Sequence, residues 1–318
     1  MNPLTDNIIV NLPNTGIIKI EGADAQTFLH NQFTNDLRMV NEQSSQLSSY
    51  CSPKGRILAL FRIFKHDDVY YMTMPKAIVE PTIKRLRMFV LMSKVKLTDV
   101  SNEMGHLGLS GPASAEKLKT VVRDVPNDMD GVCHHDDIIL IHTPGPQPRF
   151  DLFAPKEKLA TLHQALAGHA SEADANSWEL LDIHAAIPAI HPQNIEAFVP
   201  QMVNLQAIKA LNFKKGCYPG QEIVARMQYL GKLKRRMYLI HVDTTTTPQP
   251  GAALLGPNNE QGEEHKAGTV VTAQLNPQGG CDLLAVIEIE AAENQTLHLE
   301  SANGPAITLL SLPYPLTA

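Results

Sequence analysis

Lys214-Lys215-Gly216-Cys217-Tyr218-Pro219-Gly220-Gln221-Glu222 is the stretch from which the rest of this 318-residue chain is read. Pro219 suits the first turn of a helix, and Gln221 to Gln228 has helical propensity, with Ile223, Val224 and Met227 at helical spacing. Cys217 therefore falls at or just before a helix N-terminus. The positive end of the helix dipole and the lysines beside it favour thiolate over thiol. Glycines on both sides let the backbone approach a ligand closely. The competing reading is a small buried apolar residue, the commoner fate of a free cysteine.

Charge concentrates around this stretch. Residues 205 to 236 carry eight lysines and arginines against Glu222 alone, a local net of +7, whereas residues 237 to 318 carry nine acids against Lys266, a net of −8. A basic island in a chain of net charge −6 fits either an anionic ligand or a solvated surface. The overall acidity argues against a wholesale nucleic-acid binder. Cys51, Cys133, Cys217 and Cys281 are far apart and form no C-x-x-C pair, which argues against a disulfide scaffold or a self-contained metal site. The N-terminus has neither the basic nor the apolar region of a signal peptide, and no apolar run approaches spanning length, so the chain reads as cytoplasmic.

At roughly 150 residues per domain, the length suggests two or three units. An apolar share of 43% with 19% charged residues excludes disordered, collagen-like and coiled-coil chains. Strands are expected at 16–20, 46–51, 56–64, 69–73, 94–100, 107–110, 138–142, 150–153 and 233–242. Helices are expected after Asp24, from Pro81, at 112–122, at 156–167 and from a capping box at Asn176–Glu179. Interleaving without a regular βαβ beat indicates α+β rather than doubly wound α/β. The β-rich, Gly/Pro-punctuated C-terminal part suits a small antiparallel barrel. The long irregular stretch from Pro188 to Gly220 suggests a functional use.

The cysteine segment, continued by Ile223-Val224-Ala225-Arg226 and by Gly231 to Arg236, resembles the signature of the YgfZ family. Gly22-Ala23-Asp24 with Gln32 to Asp36, Trp178 through Pro188, and Phe198 to Leu205 are similar to other segments of that family. The resemblance implies a folate-binding protein that supports iron–sulfur enzymes and tRNA modification, related to the glycine-cleavage aminomethyltransferase. It implies a three-domain ring around a folate-sized opening, two α+β domains and a small antiparallel β-barrel. Residues 1–46 with about 105–205 would form the discontinuous folate-binding domain, 47–104 the second domain, 206–235 a linker with the cysteine motif, and 236–318 the barrel.

The resemblance further implies tetrahydrofolate or a related folate as cofactor, with Trp178, His184, Gln32, Thr34, Gln201, Asn204 and Arg226 as contacts. Cys217 would be the functional thiol and Lys215 its activator. Two positions depart from the family pattern: Thr15 stands where an aromatic is expected, and His184 where a glutamate is. The stretch Gly55 to Phe64, where aminomethyltransferases carry a catalytic aspartate, has no carboxylate, so loss of aminomethyl transfer is expected. The alternatives are a tetrahydrofolate-dependent transferase and a tRNA-binding module. The expected partners are folate and iron–sulfur enzymes such as a tRNA thiotransferase, with no membrane. His134-His135-Asp136-Asp137 reads as a metal-binding group or as a polar turn before a strand.

Overall fold

The structure, a computed structural model, describes residues 1–168, 170–257, 264–294 and 296–316. Three sheets carry the chain. The first orders six strands as Ser171–Ala173, Ile8–Asn11, Met104–Ser110, Arg149–Pro155, Ile138–Thr143 and Val132–His135. Its pairs are antiparallel except that between Ile8–Asn11 and Ser171–Ala173. Leu159, Leu162 and Leu166 of helix Lys156–Ala167 are buried in its core with Leu107, Leu109 and Leu152.

The second sheet is a five-stranded antiparallel unit ordered Gln46–Cys51, Ile57–His66, Val69–Pro75, Thr15–Glu21 and Lys96–Asp99. Val69–Pro75 alternates strictly, with Tyr70, Met72 and Met74 turned inward, as a strand with one covered face should. Helix Val79–Arg87 buries Val79, Ile83 and Leu86 with this sheet.

The third sheet orders His298–Leu299, Ala253–Gly256, His265–Leu275, Cys281–Glu288, Arg235–Val242 and Ile307–Leu310. A bridge between His298 and Ala306 brings its two edges together and curls it toward a barrel. The α+β architecture with a small β unit at its end is thus as expected.

Several local expectations are corrected. Strand Thr15–Glu21 pairs with Val69–Pro75 and Lys96–Asp99, so the N-terminal 46 residues divide between two sheets, and only Ile8–Asn11 joins the first. Hydrophobic alternation marks a strand but does not name its partner. Strand Ile8–Asn11, only four residues long, is too short to stand out as a pattern in the sequence. The helix expected over 112–122 spans only Ser114–Leu118. His134 and His135 lie in strand Val132–His135, not in a turn. The helix bearing Trp178 runs Ala175–His184 and is capped by Asp174, whose side chain accepts from Ser177 N, not by Asn176.

The irregular stretch from Pro188 to Gly220 is interior mortar. Phe198, Val203, Leu205, Ala210 and Leu211 are buried in one core cluster with the second sheet and with Met237, Leu239 and Leu284 of the third. Among the described residues, no helix is long and apolar enough to cross a membrane.

Candidate functional site

A cavity of about 410 Å³ opens where the three sheets meet. The first sheet contributes His106, Arg149 and Asp151, the second Leu60, Phe61 and Arg62, the third Thr272, and the capped helix Trp178, Glu179 and Asp182. Helical spacing explains the last group, because 178, 179 and 182 share one face.

Arg149 organises the cavity wall. It is 2% exposed, its Cζ lies 4.3 Å from the Trp178 ring centroid, and its Nη2 donates to Asp182 Oδ1 at 2.8 Å. Its Nε and Nη1 are buried without hydrogen-bond partners among the described residues. A guanidinium cannot shed its charge, so these free donors call for an acceptor. Burial raises the Asp182 carboxyl above its ordinary value, with Arg149 opposing. Burial likewise raises Glu179, which accepts from Gln274 Nε2. Burial pushes Asp151 up as well, but His106 and Arg149 outweigh it and hold that carboxyl below its usual range. His106 Nε2 donates to Asp151 Oδ1 at 2.9 Å, which leaves Nδ1 to accept the Thr15 hydroxyl at 2.8 Å.

Trp178 lines the cavity but is 4% exposed. Arg149 lies over its ring, and a Cβ on Gly108 would come 2.5 Å from its Cζ3. The indole therefore holds Arg149 in place and offers a ligand little free face.

The other expected folate contacts do not meet at the cavity. His184 turns away: its Nε2 donates to Asp282 Oδ2 at 2.7 Å, while His241 Nδ1 donates to Oδ1 at 2.7 Å. Its ring joins helix to third sheet, and the carboxylates that this helix turns to the cavity are Glu179 and Asp182. Thr34 is fully buried, sharing hydrogen bonds with Ser49 and the Ala210 carbonyl. Gln201 Nε2 donates to Val224 O at 2.7 Å, and Asn204 Nδ2 to Met237 O at 3.0 Å; both tie the irregular stretch to its neighbours. Asn204 adopts φ 57°, closing the turn Pro200–Val203. Gln32 lies just beyond helix Ala25–His30 and outside the cavity lining, and Arg226 is exposed on helix Gln221–Tyr229. Thr34, Gln201 and Asn204 are polar residues of the kind that bind ligands, placed instead to satisfy buried backbone, which sequence cannot distinguish.

Cys217 is exposed, in contrast to Cys51 and Cys281. It precedes by four residues helix Gln221–Tyr229, whose N-cap is Gly220 at φ 80°. Gly220 is required there, since a Cβ would sit 2.4 Å from Ser52 O, where the cysteine loop docks on the turn Ser52–Gly55. Lys215 is 5% exposed and donates from Nζ to the carbonyls of His30 and Phe33. Burial lowers its pKa to about 8. Its ammonium thus acts on Cys217 only through space, with two of its donors anchoring the loop to the end of helix Ala25–His30. Of the basic island, Lys215 is buried and Arg235 is paired with Glu288 at 2.7 Å.

Residues 5–138 match the GCVT N-terminal domain family. The chain is 32% identical to the tRNA-modifying protein YgfZ of Photobacterium profundum, with 97% of this chain and 92% of that protein covered. It is 31% identical to that of Hamiltonella defensa (86% and 80%) and 28% to that of Colwellia psychrerythraea (99% and 95%). The glycine cleavage system aminomethyltransferase T from Bartonella henselae shares the fold at TM-score 0.74 and 15% identity, over 97% of this chain and 86% of that one. Identities of 31–32% over most of both chains mean that the chain belongs to the YgfZ family.

Proposed function

We propose that this protein binds a reduced folate in the central cavity and supports tRNA modification by maintaining iron–sulfur enzymes of the cytoplasm, with Cys217 as its outward-facing reactive group. The observation that carries the folate part is Arg149, buried with Nε and Nη1 unpartnered at a cavity that also holds two carboxyls of raised pKa. This donor and acceptor set suits a heterocycle that presents both carbonyl oxygens and amino hydrogens. Arg149 would face the acceptors, and Glu179 and Asp182 the donors. Trp178 keeps the guanidinium from swinging away, and Phe61 and Leu60 exclude water from the apolar side. When bound, a folate supplies one-carbon chemistry.

Aminomethyl transfer is not part of this reading. The strand Ile57–His66 puts Arg62, not a carboxylate, at the cavity. A cation there opposes the iminium-like charge that such a transfer develops. The thiol part rests on the exposure of Cys217 and on its family, whose named relatives are tRNA-modifying proteins. Client enzymes would meet Cys217 at the surface, because one thiolate completes a cluster only with outside ligands.

Trp178 is the sole tryptophan, so its fluorescence reports the cavity alone. Titration with tetrahydrofolate should change that signal saturably in the wild type and not in Arg149→Met. Saturable binding undiminished by Arg149→Met overturns the assignment. For the thiol, Cys217→Ala in a strain lacking the protein should fail to restore thiomethylated tRNA, and full restoration overturns that role.

A further inference from the structure

Strand Ile57–His66 of the second sheet ends on His66, and strand Val132–His135 of the first carries His134. The two imidazoles meet at the seam between these sheets, stacked with centroids 4.6 Å apart and planes at 17°. Glu42, from the loop before strand Gln46–Cys51, completes the group. One potential ligand atom from each of the three residues lies within 4.8 Å of the others. The neighbours that sequence places beside His134 are engaged elsewhere: His135 Nε2 donates to Asp124 O at 2.7 Å, and Asp136 and Asp137 face Lys158 at 3.7 and 3.3 Å.

The surroundings prepare His134 for a cation. Its Nε2 lies 2.8 Å from the Glu42 carbonyl oxygen, so the N–H donates there. That bond fixes the neutral tautomer with its lone pair on Nδ1. Nδ1 is buried and has no hydrogen-bond partner among the described residues. The Glu42 carboxylate is held only loosely, by Asp67 N at 3.3 Å and by Lys65 Nζ and His134 Nε2, each at 3.4 Å. Two nitrogens and one oxygen form a donor set for zinc-like ions rather than calcium or magnesium, which prefer oxygen alone. Ligand bonds of roughly 2.0–2.1 Å require the three side chains to draw in by about an ångström. Glu42 and His66 are only part-buried and free to move that far.

We propose that Glu42, His66 and His134 bind one divalent cation of the zinc class, clamping the first sheet to the second. The seam is otherwise held by a buried apolar cluster, in which Phe64 stacks on Phe153 at 5.0 Å, and by backbone and ion-pair contacts: Val132 N donates to Gln43 O at 2.9 Å, Ser44 bridges Gly131, and Arg62 pairs with Asp130. The site is separate from both the central cavity and Cys217, and does not depend on the folate reading.

The test is optical titration of chelator-stripped full-length protein with Co²⁺, followed by displacement with Zn²⁺ and by melting in Zn²⁺. The expected result is equimolar binding with intense ligand-field bands, no thiolate charge-transfer band, and a Zn²⁺-dependent rise in melting temperature. Glu42→Gln, His66→Asn and His134→Gln should each weaken binding at least about tenfold. His66→Asn, at a part-buried position, keeps the test decisive if His134→Gln misfolds. No saturable binding, binding unchanged in folded variants, or a charge-transfer band that vanishes in Cys217→Ser each overturns the proposal.

Discussion

Arg149 sits over Trp178, 4.3 Å from the ring centroid, and links three parts of the molecule: the first sheet that carries it, the helix that carries Trp178, and the cavity between them. Replacing Arg149 with Met should remove folate binding and leave Asp182 facing the cavity without its cation. The Asp182 side chain is 38% exposed, so stranding it costs less than the roughly 3 kcal/mol of a fully buried pair. Arg149→Lys should recover part of the stability but not the binding, because an ammonium lacks the planar fork. Urea unfolding beside the fluorescence titration separates the two effects, and equal loss of both in Arg149→Lys contradicts this account.

The four cysteines should differ sharply in reactivity. Burial pushes the Cys51 and Cys281 thiols up to about 12, and burial also raises Cys133, whereas Cys217 is exposed. Native-state alkylation followed by peptide mass spectrometry should label Cys217 first, Cys133 slowly and the other two only on unfolding. Early labelling of Cys51 contradicts the burial described.

Lys215 should give stability an alkaline signature. Its pKa falls on folding from an ordinary 10.5 to about 8. Between those values the folded protein binds fewer protons than the unfolded chain, so stability should rise with pH across that window. Below about 8, the buried charge is a standing cost that the neutral amine relieves. Denaturation curves across this range should slope upward for the wild type and flatten for Lys215→Met.

Asp282 should behave in the opposite sense. Burial opposes ionisation of its carboxyl, but hydrogen bonds from His184, His241 and Asn276 outweigh it and hold its pKa below the ordinary 3.8. Its contribution is therefore complete above the ordinary carboxylate range and lost as pH falls through the lowered value. Asp282→Asn should loosen the third sheet from the Trp178 helix and shallow the acid limb of the stability curve. Limited proteolysis within residues 236–318 offers a second readout.

Gly220→Ala places a methyl 2.4 Å from Ser52 O at a φ of 80°, so the cysteine loop must leave its dock. A loss of about 2 kcal/mol or more is expected. Alkylation of Cys217 should change in the same variant, whereas Gly168→Ala, which meets nothing within 4 Å, should alter neither.

The sequence alone determined the elements with strong local signals. Period-two alternation marked Val69–Pro75, the proline and the Ile83–Leu86 spacing marked Val79–Arg87, and the glycine-flanked Cys217 segment pointed to both the family and the exposed thiol. These follow from interactions within a few residues, which a linear reading captures. Tertiary structure alone decided which polar residues face the cavity. Thr34, Gln201 and Asn204 carry ligand-like side chains but satisfy buried backbone, and His184 is drawn to Asp282, 98 positions away. Arg149, Glu179 and Asp182 carry no local mark of their role, since a guanidinium becomes a binding group only when burial strips it of water and leaves donors free. The Glu42–His66–His134 group depends likewise on which sheet edges meet, a choice set by long-range packing and not by any stretch of chain.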